Sequence, residues 1–85
     1  MKETKIIGII IKDRIKEADK TQKVLSKYAS IIDTRLGTHE LNSATCSRKG
    51  IILLILRNKS ELWTQFEADL SKIEGIEVKN MTFNY

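Results

Sequence analysis

Two segments of the chain are apolar at nearly every position, and two others repeat apolar residues at helical spacing. KIIGIIIK (5–12) and IILLILR (51–57) are continuous apolar runs, which are typical of strands buried on both faces. The segment 13–30 has a helical pattern with Asp13 as a candidate N-cap. The segment 58–75 has a clearer one and ends at Gly75. We therefore predict two strands and two helices in these places.

The two predicted helices each present an apolar stripe. In the first, the stripe consists of Ile15, Ala18, Leu25, Tyr28 and Ala29, with Val24 at its edge. In the second, it consists of Leu62, Trp63, Phe66, Leu70 and Ile73. Asn58 followed by Glu61 has the spacing of a capping box, so the second helix is expected to begin there.

Two further strands complete the pattern. The segment 31–37 alternates, and the polar segment from Gly37 to Gly50 that follows it predicts a loop. The segment 76–85 also alternates, but Ile76 and Val78 are out of phase with Met81 and the aromatic residues after it. A β-bulge near Asn80 would reconcile the two phases.

The resulting order, β-α-β-β-α-β, is that of the ferredoxin-like α+β fold, here a single domain spanning residues 1–85. In this fold two helices cover one face of a four-stranded antiparallel sheet. The other face would expose half of each apolar strand, and an exposed apolar patch of that size indicates an interface. We predict a homodimer or homotetramer. The candidate interface residues are Ile7, Ile9, Ile52 and Leu54. A monomer that tolerates surface aliphatic residues is the alternative.

Several segments carry a resemblance to a known family. Arg35-Leu36-Gly37 at the end of the second strand, the apolar third strand, and Gly75 to Lys79 after the second helix resemble the regulators of iron-only hydrogenase systems. Those are small proteins with an ACT-like, ferredoxin-like fold. The resemblance implies this fold and a regulatory role, and it spans nearly the whole chain. The segment after Gly37, which carries His39 and Cys46, departs from the family pattern.

Composition and charge narrow the function classes. The net charge is +4, and much of the excess lies between Lys12 and Lys27. Lysines interleaved with acids are typical of the solvated side of a helix, so we do not expect direct binding of nucleic acid. The apolar N-terminal run lacks the features of a signal peptide, and no run is long enough to span a membrane. A single cysteine favours a reduced, cytoplasmic protein.

The candidate chemistry lies in residues 35–48. Arg35, Gly37 and Thr38 are candidate ligand-binding residues, since an arginine at a strand end can meet an anion. His39 and Cys46 are candidate ligands for a transition metal such as nickel or zinc. The C-terminal domain of the nickel-responsive repressor has a similar fold, and its metal ligands occupy similar positions. One chain supplies too few ligands for a closed site, so a second subunit would have to contribute.

No set of acid, base and nucleophile is visible, so we predict that the protein is not an enzyme. The favoured function is a regulatory or ligand-sensing module that forms homo-oligomers through its free sheet face and binds a small molecule. One alternative is a metal-responsive sensor that uses His39 and Cys46. Another is a protein-interaction domain that docks a larger partner.

Overall fold

The computed structural model describes residues 2–41 and 46–85, and the side chains of all of these except 38–41 and 46–48. Its strands are β1 (Glu3–Ile11), β2 (Ile32–Leu41), β3 (Cys46–Leu56) and β4 (Ile76–Asn84). Its helices are α1 (Arg14–Lys27) and α2 (Trp63–Ser71), with 3₁₀ turns at Ala29–Ile31 and Ser60–Leu62. The sheet is antiparallel with strand order β2-β3-β1-β4. The predicted ferredoxin-like fold is therefore confirmed.

Helix α1 begins as predicted but buries only part of the predicted stripe. Asp13 caps it, because its Oδ1 accepts hydrogen bonds from the backbone amides of Ile15 and Lys16. The residues that α1 buries are Glu17, Thr21 and Leu25. Of the predicted stripe, Leu25 and Tyr28 are buried. Ile15 is 77% exposed, and Ala18 and Ala29 are exposed as well, so these three places in the stripe are wrong. The Thr21 hydroxyl donates to the carbonyl of Glu17, which lets a polar residue lie in the buried stripe.

Helix α2 begins later than the predicted capping box. A 3₁₀ turn precedes it, and no side chain caps its first residue, Trp63. Asn58 instead offers its backbone carbonyl to the indole Nε1 of Trp63 at 2.9 Å. The apolar stripe is largely confirmed, since Trp63, Phe66 and Leu70 are all buried.

The predicted loop between the second and third strands is largely wrong. Strand β2 continues to Leu41 and β3 starts at Cys46, so this polar segment extends a β-hairpin. Its backbone pairing includes Gly37 with Ile52 and His39 with Gly50. The predicted bulge near Asn80 is also wrong, because β1 and β4 pair in one continuous register. Val78 and Met81 simply face opposite sides of the sheet.

The four candidate interface residues lie in the core, and that prediction is wrong. Ile7, Ile9 and Leu54 are fully buried, and Ile52 is 8% exposed. All four belong to the cluster that packs with Leu25, Phe66 and Leu70 of the helices. The opposite face of the sheet, which we call the open face, carries the other phase of each strand. Its large exposed apolar residues are Ile10, Leu36, Leu53, Met81 and Phe83.

Candidate functional site

A cavity of about 350 Å³ lies on the helix side of the sheet, between the first turns of α1 and strands β2 and β3. Its walls are mostly apolar. They include Ile11, Ile15, Ala18 and Ile52. The polar side chains in the lining are Arg14 and Arg35, and Gly37 and Gly50 lie in its strand walls. The volume falls in the range of small-molecule sites, which are concave, mostly apolar and carry few polar groups.

The two glycines of this cavity have different consequences. A Cβ at Gly50 would lie 3.1 Å from Cγ and 3.2 Å from Cδ of Arg14. Gly50 therefore gives the stem of Arg14 room to lie across β3. A Cβ at Gly37 would meet no atom within 4 Å. Gly37 therefore leaves open space on the strand that forms one wall of the cavity.

Arg35 is held beside the cavity by a residue of α1. Its Nη2 donates a 2.6 Å hydrogen bond to Oε1 of Gln22, and Nε2 of Gln22 donates to the Ser26 hydroxyl at 3.2 Å. The bond to Ser26 fixes which end of the Gln22 amide faces Arg35. This chain of polar contacts ties β2 to α1 and orients the guanidinium group.

The electrostatic character of the cavity follows from its lining. The guanidinium group of Arg35 contributes positive charge, and no acidic side chain belongs to the lining within the described part of the chain. The carboxylate of Asp13 is nearby in sequence but already accepts the amides of the first helical turn. The cavity therefore favours an anion with an apolar body over a cation.

The predicted ligand-binding residues are partly brought together. Arg35 and Gly37 both line the cavity, and the backbone of Thr38 continues β2 opposite Ile51. The side chains of Thr38, His39 and Cys46 lie outside the described residues, so the metal-site hypothesis stays a prediction. Among the described residues, no group of three or more metal-ligating side chains occurs. Arg14 and Gly50 were not predicted. A glycine at the start of an apolar strand was the one available signal.

A larger cleft of about 570 Å³ lies at the other end of β1. Lys2, Arg57 and Lys59 line it together with the acidic Glu3. Arg57 is already paired with Asp33 at 3.0 Å, and the Trp63 indole is already bonded to a backbone carbonyl. Because its charges are mixed and its main polar groups are in use, this cleft is a weaker candidate than the smaller cavity.

These features define a small ferredoxin-like α+β domain with one open sheet face and a basic, apolar-walled cavity. The chain belongs to the family described as "TM1266-like: Iron-only hydrogenase system regulator, putative", which matches residues 3–80. The resemblance drawn from the sequence is thereby confirmed, and the family description suggests a regulatory role.

Two solved structures share the fold. One is described as the uncharacterized protein TM1266 from Thermotoga maritima, with 23% sequence identity and a TM-score of 0.81 over 99% of this chain and 100% of that one. The other is the de novo designed protein Foldit4, with 12% identity and a TM-score of 0.57 over 100% of this chain and 99% of that one. No curated protein sequence matches significantly. Within the described residues, neither helix is long and apolar enough to cross a membrane.

Proposed function

We propose that the protein is a non-enzymatic, cytoplasmic regulatory module that self-associates through its open sheet face and senses a small ligand in the basic cavity. The family description supports the regulatory role, and the single cysteine supports the reducing compartment. The apolar open face is the observation that carries the proposal. Leu53 at its centre is 44% exposed, and Leu36 and Met81 on the flanking edge strands are more than half exposed.

The size of the open face supports a second copy of the chain as its occupant. Strand β1 has nine residues and the sheet has four strands. At about 4.8 Å between strands and about 3.3 Å per residue, the face covers roughly 570 Å². Two copies would bury roughly 1,100 Å² in total, which passes the threshold of about 1,000 Å² for a biological interface.

Charge on the open face also favours self-association. The chain carries +4 overall, so two copies repel each other through most surfaces. In the central part of the face, at the level of Ile51 to Ile55, the charged residues are Glu77 and Lys79, which balance. A two-fold axis through this region would place the same patch on itself without net repulsion.

Sedimentation velocity of Leu53→Glu tests the proposal. We expect the wild-type chain to be an oligomer and the variant to dissociate, because the new carboxylate would be buried without a partner in the assembly. Leu62→Glu is the matched control, since Leu62 is 38% exposed in the turn before α2 and lies away from the sheet. Wild-type protein that is monomeric at every concentration would overturn self-association. If both variants dissociate equally, the contact between subunits is not specific to the open face.

The metal-responsive sensor is a second candidate. The hairpin of β2 and β3 brings the backbones of His39 and Cys46 to the same end of the sheet, where Cys46 pairs with Leu41. Native mass spectrometry of protein purified without chelators tests it. A bound nickel or zinc mass that Cys46→Ala removes would support this candidate, and a metal-free oligomer would count against it.

The protein-interaction domain is the remaining candidate. It would be favoured if the protein is a monomer and binds a different protein through Leu53.

A further inference from the structure

We infer that the cavity between α1 and the β2–β3 hairpin binds a small monocarboxylic acid with a branched aliphatic body and no ammonium group. This inference rests on the proposed ligand-sensing role and specifies its ligand class. It depends on three observations: the open space over Gly37, the guanidinium group of Arg35, and the lack of an acidic side chain in the described lining.

The acid group of the ligand is assigned to the guanidinium group of Arg35. Arg35 carries five N–H donors in a planar fork, and Gln22 occupies one of them in the bonds that the structure describes. A carboxylate matches the spacing of this fork and can accept two parallel bonds from it. The amides at the start of α1 are not the binding group, because Asp13 already accepts from Ile15 and Lys16.

The aliphatic body of the ligand is assigned to the walls. Ile11 and Ile52 provide the buried floor, and the methyl group of Ala18 adds to the apolar wall on the α1 side. Ile15 lines the cavity and is 77% exposed, so its apolar surface is available to a ligand. A branched hydrocarbon chain that fills the space over Gly37 would cover part of this exposed surface.

Among the described lining residues there is no acidic side chain, the usual partner of an ammonium group. An amino acid bound by its carboxylate would place its ammonium group near the guanidinium group of Arg35, with no carboxylate among the described lining residues to offset the repulsion. A zwitterion should therefore bind more weakly than the acid that lacks the amine. This contrast separates the proposed ligand class from free amino acids of the same shape.

The test compares three probes of the same shape by heteronuclear NMR on the full chain. Isocaproate has the carboxylate and the branched body, isocaproamide replaces the charge by a neutral amide, and L-leucine adds the ammonium group. We expect isocaproate to shift the amide signals of Gly37 and Gly50 saturably. The amide should bind at least about tenfold more weakly, because bonds to charged groups are the stronger ones. L-leucine should also bind at least about tenfold more weakly, because its ammonium group is repelled by the guanidinium group of Arg35.

Two matched glycine variants test whether isocaproate binds in this cavity. Gly37→Val should abolish the shifts, since its side chain fills open space, and Gly37 has no left-handed backbone that a side chain would strain. Gly8→Val is the control, because Gly8 lies on the open face, where a Cβ would be 3.9 Å from Leu53. Arg35→Gln should weaken isocaproate binding by about tenfold or more.

The outcomes are distinguishable from those of the self-association test. If isocaproate causes no saturable shift, if the amide binds equally well, or if L-leucine binds more tightly, the inference is overturned, whatever the oligomeric state. Equal loss of binding in Gly37→Val and Gly8→Val would also overturn it. If isocaproate binds as expected to a chain that stays monomeric, the cavity assignment stands and self-association fails.

Discussion

The hydroxyl of Tyr28 donates a 2.6 Å hydrogen bond to Oδ2 of Asp69, and this contact joins the end of α1 to α2. The same carboxylate accepts hydrogen bonds from Gln65 at 3.0 Å and from Lys27 at 3.4 Å. The Tyr28 ring also packs on Phe66, with 5.0 Å between ring centroids. The hydrogen bond from Tyr28 is the largest cause of the lowered pKa of Asp69, and the bond to Asp69 is the largest cause of the raised pKa of Tyr28.

This pair predicts a specific pH dependence for Tyr28→Phe. The pKa of Asp69 is lower in the folded state, so its stabilisation is present above the unfolded pKa of about 3.9 and is lost as pH falls through the folded value. The pKa of Tyr28 is raised, so its stabilisation is complete below about 10 and is lost as pH rises through the folded value. The stability difference between wild type and variant should be largest between these limits and shrink at both ends.

Denaturant unfolding across a series of pH values measures this difference. Tyr85→Phe is a suitable control, because Tyr85 is 66% exposed and its hydroxyl contacts Thr4 rather than a carboxylate. The difference in unfolding free energy between Tyr85→Phe and wild type should not shrink at acidic pH. A stability loss in Tyr28→Phe that is constant from acid to alkaline pH would contradict the role assigned to Asp69.

Gly75 predicts a second effect on stability. It has a φ of 85°, in the left-handed region, and a Cβ there would lie 3.0 Å from Cγ of Glu17. Gly75→Ala should therefore lower the free energy of unfolding by about 1–2 kcal/mol from the backbone alone, with the clash adding to it. Gly37→Ala is the control and should be nearly neutral, because its Cβ meets open space. Denaturant midpoints of the two variants that agree would contradict the prediction.

The order of elements was predictable because each segment has one dominant pattern. It was not predictable which residues of the two central strands face the core. Every position from Ile6 to Ile11 except Gly8 is isoleucine, so the sequence does not distinguish the core face from the open face. The two phases are separated only by packing against the helices, which selects Ile7 and Ile9. This is why the candidate interface residues were placed on the wrong face of the sheet, although an apolar open face was expected and is present.

The residues of the candidate site also divide into those that the sequence could predict and those that it could not. Arg35 and Gly37 were predictable, since they form a motif at the end of a predicted strand. Arg14 was not, because its proximity to the site depends on the space at Gly50 in another strand. Glu17 misled the prediction for α1 in the same way. A glutamate in a helix usually indicates a solvent-exposed position. Here Glu17 packs against the turn at Gly75 and is 4% exposed.

Leu53 and Leu54 are consecutive residues on opposite faces of the sheet, so we expect their alanine variants to differ in stability. Leu54 is fully buried between sheet and helices, so Leu54→Ala should lower the free energy of unfolding by about 2–5 kcal/mol. Leu53 lies on the open face, so in dilute protein Leu53→Ala should change it by no more than about 0.5 kcal/mol. Chemical denaturation at low concentration measures both. Similar losses in the two variants would contradict the assignment of the strand faces.

The contact between Gln22 and Arg35 predicts that a residue outside the cavity lining tunes ligand binding. Gln22→Ala should leave stability nearly unchanged because Gln22 is exposed. It should weaken isocaproate binding by about threefold to tenfold, the worth of one net hydrogen bond that orients the guanidinium. Gln65→Ala is the matched control, an exposed glutamine on α2 away from the cavity.

Gln22→Glu separates orientation from charge. The new carboxylate would keep Arg35 in place but would also compete with the ligand for the same guanidinium. If the guanidinium binds the ligand acid, this variant should bind isocaproate more weakly than Gln22→Ala does, in the same NMR titration. If Gln22 only positions Arg35 as a wall of the cavity, the glutamate should bind like wild type. That result would remove Arg35 from the anion site while leaving the apolar walls in place.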